Sequence, residues 1–228
     1  MANALFGLDW AEVRPRMEAA LGDLPGVQIL VYEPTAIVRT TQNQSPPTMT
    51  VGRAALIELI DRYLQGLLDP FVTLLEVHKL LYFLQEEGEQ LHLRYQKAHY
   101  GPYAENLRQV LNHIEGHLIF GYADGGGSPD KRISLLPDAV ESAERVLVKH
   151  PETANRINRV AALVEGFETP FGLELLSTVH WVLVHDGAKS LEEAVRLIHS
   201  WNISKQKFSQ RQIAIAADVL KKKDWVTA

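Results

Sequence analysis

Residues 73–85, TLLEVHKLLYFLQ, are apolar on almost every side of a helix. A helix on a protein surface needs an apolar stripe on one side only, so one that is apolar nearly all round has to lie inside other elements. Thr73 followed by Glu76 fits a capping box, which places the helix start. The rest of the chain must supply the surroundings, and its patterning is mostly helical. Leu56, Leu59, Ile60, Tyr63, Leu64 and Leu67 recur at helical spacing and stop at Asp69-Pro70. Pro137 and Pro151 suit the first turns of two further helices, and Thr169-Pro170 is an N-cap followed by a first-turn proline. Ser190 with Glu193 and Ser209 with Gln212 predict two more starts. The last helix turns Ile213, Ala217 and Leu220 inward, and Lys221, Lys222 and Lys223 suit its negative end.

The β signals are short. LHLRYQ (91–96) alternates, with Leu91, Leu93 and Tyr95 on one face. Residues 119–136 read as a hairpin with its tip in Gly125-Gly126-Gly127. Between them, KAHYGPYAENLR (97–108) brackets a Gly-Pro with Tyr100 and Tyr103. Gly101 lets the strand turn, and Pro102 is expected to open a helix running to about Leu118. Near the N-terminus, Asp9 with Glu12 predicts a helix start, and VQILVYE (27–33) a buried strand. One helix and one strand cannot bury each other, so this piece reads as the end of a larger unit. PTAIVRTTQNQSPPTMTVG (34–52), rich in Thr, Gln, Ser and Pro, reads as a linker. The expected class is mainly α, with a small β element, in three parts: 1–34, a linker at 35–52 and a helical domain at 53–228.

At 46% apolar and 22% charged, the 228 residues can build a packed core. Net charge is −5, with 3 basic and 5 acidic groups in 1–52 and 20 and 23 thereafter, so neither half has the basic excess of a nucleic-acid binder. Direct nucleic-acid binding is therefore not expected. The absence of cysteine excludes disulfides, thiol catalysis and thiolate metal sites. No stretch reads as a membrane span or signal peptide, and a cytoplasmic setting is expected.

Several constellations mimic catalytic motifs. HIEGH (113–117) puts two histidines four apart, but Glu115 is not next to His113 and no third ligand follows. GGGSPDK (125–131) lacks the Lys-Ser/Thr of a phosphate loop. Ser177, His180, His185 and Asp186 sit on or beside one helix with no nucleophile elbow. No catalytic residue, metal ligand or cofactor is expected from these. QEEGEQ (85–90) and the Asp138, Glu141, Glu144 face are acidic, and Tyr95, His99, Tyr100 and Tyr103 supply flat rings. Carboxylates beside rings could imitate a strand of nucleic acid in a basic groove.

Two stretches carry a resemblance. GLDWAEVRPRMEAALGDLPGVQILVYEP (7–34) resembles the last helix and strand of a macrodomain, the ADP-ribose-binding α/β fold. EVHKLLYFLQEEGEQLHLRYQKAHYGPYAENLRQVLNHIEGHL (76–118) resembles the helical region that follows the macrodomain in DarG antitoxins. Its KLLYFLQ…YGPY pattern is also similar to the SocA-like (Panacea) antitoxin domain. The resemblance implies a C-terminal toxin-binding domain with a macrodomain remnant at 1–34. The implied partner is a DarT-like toxin, which transfers ADP-ribose from NAD onto thymidine in single-stranded DNA. The macrodomain body and its glycine-rich ADP-ribose loops do not precede Met1, so hydrolysis is not carried over. The resulting expectation is a non-catalytic antitoxin that fills the toxin's DNA site, with Glu86, Glu87, His99, Tyr100 and Tyr103 as the contact residues. Two other readings stand beside it: a DNA-binding autoregulator using 204–225, and part of a DNA ADP-ribosyl hydrolase.

Overall fold

A computed structural model of the chain describes residues 14–16, 19–20, 46–67, 70–122 and 126–226. The chain divides into two compact units, 1–42 and 43–228. In the first, residues 14–16 and 19–20 are helical and exposed. The helix start expected at Asp9 and the strand expected at 27–33 lie outside the described residues, as does Gly125 at the expected hairpin tip.

The second unit is mainly helical, with small antiparallel sheets. Thr50 caps α1 (Val51–Gln65), its side chain accepting from the Arg53 backbone N–H. After β1 (Val72–Thr73) comes α2 (Leu74–Glu86), started by the expected capping box. Every residue of α2 from Leu74 to Leu84 is buried, including Glu76, His78 and Lys79. Burying Tyr82, Phe83 and Leu84 stabilises the fold by about 1.5–3 kcal/mol each. Buried Glu76 is fully engaged: one carboxylate oxygen accepts from the Tyr63 hydroxyl at 2.7 Å, and the other from the Thr73 backbone N–H at 2.8 Å.

The expected strand at 91–96 is displaced toward the C-terminus. β2 spans Tyr95–Ala98. His92 takes a left-handed φ of 56°, which a ladder residue cannot adopt, and ends any strand there. Residues 91–94 are held by side-chain amides instead. Gln85 accepts from the Leu93 N–H at 2.7 Å and donates to its carbonyl at 2.8 Å, and Asn106 does the same for Arg94 N–H and His92 carbonyl.

The helix expected from Pro102 begins later. Residues 101–104 form β3 (Gly101–Ala104), pairing antiparallel with β2 in the register Ala98↔Gly101 and Tyr95↔Ala104. Pro102 carries no N–H, so it fits a ribbon whose outer edge has no ladder partner among the described residues. The helix proper is α3 (Leu107–Ile114), and it ends short of the expected Leu118. Glu115 then leaves helical geometry, and its carboxylate accepts from the backbone N–H groups of Gly121 and Tyr122.

β4 (Ile119–Phe120) and β5 (Arg132–Leu135) form the expected hairpin, and β5 also pairs with β1. Gly121 is required at its near end. Its φ is +109°, and a Cβ there would fall on the Arg132 carbonyl oxygen. Gly121→Ala is expected to cost about 3 kcal/mol, from left-handed strain plus overpacking. A urea-unfolding midpoint unchanged from wild type would contradict that.

The remaining helices are α4 (Pro137–Leu147), α5 (Pro151–Val164), α6 (Pro170–Val184), α7 (Leu191–Trp201) and α8 (Gln210–Lys222), with a 3₁₀ turn at Ile203–Lys207. The prolines and caps read from the sequence open α4, α5, α6, α7 and α8 where expected. α1 packs on α4 and α5, while α2 packs on α6, and α6 on α7 and α8. α2 and α6 together form the spine of the domain. Among the described residues no helix is long and apolar enough to cross a membrane.

Candidate binding cleft

The β2–β3 hairpin turns at His99-Tyr100, and Gly101 follows at φ +94°. A Cβ on Gly101 would come within 2.9 Å of the Thr178 hydroxyl oxygen on α6, so glycine is needed for closeness as well as for its φ. The hairpin is fastened from three sides. Lys79 on α2 donates to the Pro102 carbonyl at 2.6 Å, and the Tyr95 hydroxyl donates to the His78 carbonyl at 3.1 Å. From α7, the Trp201 indole N–H donates to the Ala98 carbonyl at 2.9 Å. Asn202, at the end of α7, donates to the His99 carbonyl, and Ser204 lies 3.0 Å from His99 Nε2.

Under this turn lies a cleft of about 190 Å³. Its floor is the N-terminal half of α2, with Leu74, Leu75, His78 and Lys79, and the turn and Tyr103 form one wall. Pro129, from the β4–β5 connection, closes the other side. Tyr103 stacks on His78 with ring centroids 4.3 Å apart. Tyr100 is 40% exposed at the rim and meets the His99 ring edge-on at 4.6 Å. No carboxylate is among the described residues that line it.

Burial disfavours the charged form of His78, Lys79 and Tyr103. Burial pushes the His78 imidazole down to about 3, and the neighbouring Lys79 pushes the same way. His78 Nδ1 is buried and has no hydrogen-bond partner among the described residues. Burial also pushes the Lys79 ammonium down to about 7, helped by the nearby Lys205 and opposed by Glu174. A buried lysine whose charge is disfavoured in a cleft marks a candidate functional site. Tyr103 is raised to about 12, mainly by burial and then by its hydrogen bond to Glu105.

Of the five residues expected to contact a partner, the structure brings together His99, Tyr100 and Tyr103. Glu86 and Glu87 lie elsewhere, at the C-terminal end of α2. Glu86 is 3.2 Å from His185, and Glu87 is 2.6 Å from Arg159, so these carboxylates are engaged within the chain. Glu141 pairs likewise with Arg145 at 2.6 Å. The sequence reading missed His78 and Lys79. A histidine and a lysine inside an otherwise apolar helix were the available signal, since such groups are rarely buried without a reason.

The other constellations resolve into structure. Ser177 is fully buried and donates to the Glu174 carbonyl, while His180 Nδ1 lies 2.7 Å from the Tyr82 hydroxyl. Glu115 of HIEGH clamps the Gly121 turn. On α8 the apolar face packs inward as expected, and two of its terminal lysines are engaged, Lys222 with Asp218 at 2.7 Å and Lys223 with the Ala162 carbonyl.

No protein-family model matches the chain. It is 40% identical over 220 residues, 95% of its length, to a Thermus aquaticus protein named DNA ADP-ribosyl glycohydrolase. Proteins of that name from Mycobacterium bovis and Mycobacterium tuberculosis are each 32% identical over 93% of the chain. The chain spans 60–64% of the length of these relatives. These similarities overturn the expectation of a non-catalytic antitoxin domain, and with it the assignment to a DarG toxin-binding domain that blocks a toxin by imitating DNA. Glu86 and Glu87, the carboxylates expected to face a partner, are paired by the fold with His185 and Arg159. In sequence this chain is similar over almost all its length to proteins named as DNA ADP-ribosyl glycohydrolases.

Proposed function

We propose that the chain is part of a DNA ADP-ribosyl glycohydrolase, a protein that hydrolyses the bond holding ADP-ribose to DNA. The 40% identity to the Thermus aquaticus protein over 95% of this chain carries the reading. The cleft supports a recognition role within it. Hydrolysis of a glycosidic bond generally uses carboxylates as acid and base. Among the described residues the cleft offers instead two tyrosines, two histidines and a lysine. The assay uses the 228-residue chain, a single-stranded oligonucleotide carrying ADP-ribose, and chromatography of released ADP-ribose. Release above the rate in buffer is expected. A rate equal to buffer, at a concentration where the Thermus aquaticus protein completes the reaction, overturns the proposal for this chain.

The reaction that supplies such a substrate is transfer of ADP-ribose to DNA. A DarT-like transferase is therefore proposed as the protein partner. Its co-purification with the chain would support this, and failure to associate at micromolar concentrations of both would remove it.

A further inference from the structure

The cleft under the His99–Tyr100 turn holds about 190 Å³. Sites that enclose a whole small-molecule ligand usually hold roughly 300–1,000 Å³. ADP-ribose, with a base, two sugars and two phosphates, is too large for it, whereas one heteroaromatic ring system is of the right size. The walls favour a flat guest: Tyr103 is braced on His78, and Tyr100 stands exposed at the rim. Tyrosine faces of this kind hold unstacked bases in proteins that bind single strands. The polar groups fit the same guest. His78 is nine-tenths buried or more, with a ring nitrogen that no group among the described residues satisfies, and Lys79 is a donor on the same floor. Base edges offer both acceptors and donors to such groups.

We infer that this cleft receives one unstacked nucleobase of a single DNA strand, its ring against Tyr100 and Tyr103 and its polar edge toward His78 and Lys79. The inference rests on the glycohydrolase reading, which supplies the DNA; the size and ring content of the cleft supply the base. It also reconciles DNA binding with a net charge of −5. Phosphates gain little from an acidic chain, so the affinity comes from the ring and its salt dependence is shallow. A strand held this way needs no basic surface, which is why charge counting alone argued against nucleic acid.

The test is fluorescence anisotropy of the 228-residue chain with a labelled single-stranded oligomer of six thymidines, from 50 to 200 mM salt. An abasic oligomer of the same length serves as the backbone-only probe. The thymidine oligomer is expected to bind, the abasic one to bind at least about tenfold more weakly, in line with the loss of base stacking. Tyr100→Ala is expected to weaken binding about tenfold. That residue sits exposed on a turn, so the fold persists, and a thermal melt matching wild type verifies this. His78→Phe keeps a stacking ring and removes the nitrogen, so it should weaken binding while leaving the melt unchanged at neutral pH. Equal binding of the abasic oligomer, a hundredfold loss across the salt series, or unaltered affinity in Tyr100→Ala would each overturn the inference. None of these measurements uses ADP-ribosylated substrate. Base binding without ADP-ribose release would therefore sink the glycohydrolase reading alone, and release without base binding would sink the cleft assignment alone.

Discussion

Glu174→Ala is expected to lower the unfolding free energy by about 3–5 kcal/mol, the usual cost of stranding one partner of a buried ion pair. Glu174 on α6 is buried, and its two carboxylate oxygens lie 2.6 Å from Lys205 Nζ and 2.9 Å from Lys207 Nζ. Lys205 has no exposed surface, so its ammonium cannot return to water when the carboxylate goes. Lys207 is far more exposed and loses less. The pair ties the 3₁₀ turn at 203–207 to α6, and Ser204 of the same turn holds His99. Removing Glu174 should therefore loosen the cleft as well as the core. Urea denaturation followed by circular dichroism measures the loss. Glu174→Leu combined with Lys205→Met should recover most of it, because neither charge is then left buried. A single alanine variant within about 1 kcal/mol of wild type would show that Lys205 is already uncharged in the fold.

Acid is expected to destabilise the protein steeply below pH 6.5. In the unfolded chain an imidazole takes up a proton near 6.5. In the fold, burial holds His78 neutral down to about 3 and His180 down to about 4. Between those values and 6.5 the unfolded state binds more protons than the folded one, so stability falls as pH falls. Each group removes about 1.4 kcal/mol per pH unit across that window. At pH 5 the two together cost about 4 kcal/mol relative to neutral pH, a large share of a typical 5–15 kcal/mol stability. His78→Phe should flatten the profile by about half, since His180 remains. A urea midpoint that is the same at pH 7.5 and pH 5 would count against both burial assignments.

Local rules read directly from the chain placed most of the helices. Capping residues and first-turn prolines are short-range devices, so Thr73, Pro137, Pro151, Thr169, Ser190 and Ser209 mark their helix starts without help from the fold. The apolar circumference of α2 also declared its central position. The Gly-Pro corner was misread because proline suits a helix start and an edge strand equally well. What chose between them lies far away in sequence: Thr178 and Trp201 leave room for a tight hairpin and fasten it.

The site divides in the same way. Tyr100 and Tyr103 stood out as rings beside a turn, and His99 with them. Glu86 and Glu87 looked like open charge because a sequence does not show a partner seventy or a hundred residues away. His78 and Lys79 were hidden for the opposite reason: their surroundings, not their neighbours in the chain, suppress their charge. By itself the sequence determined a mainly helical domain, its helix starts and its buried central helix, since hydrophobic period and capping act within a few residues. Only the tertiary structure decided which polar groups meet in a cleft and which carboxylates are neutralised. Burial and long-range pairing are properties of the folded surroundings.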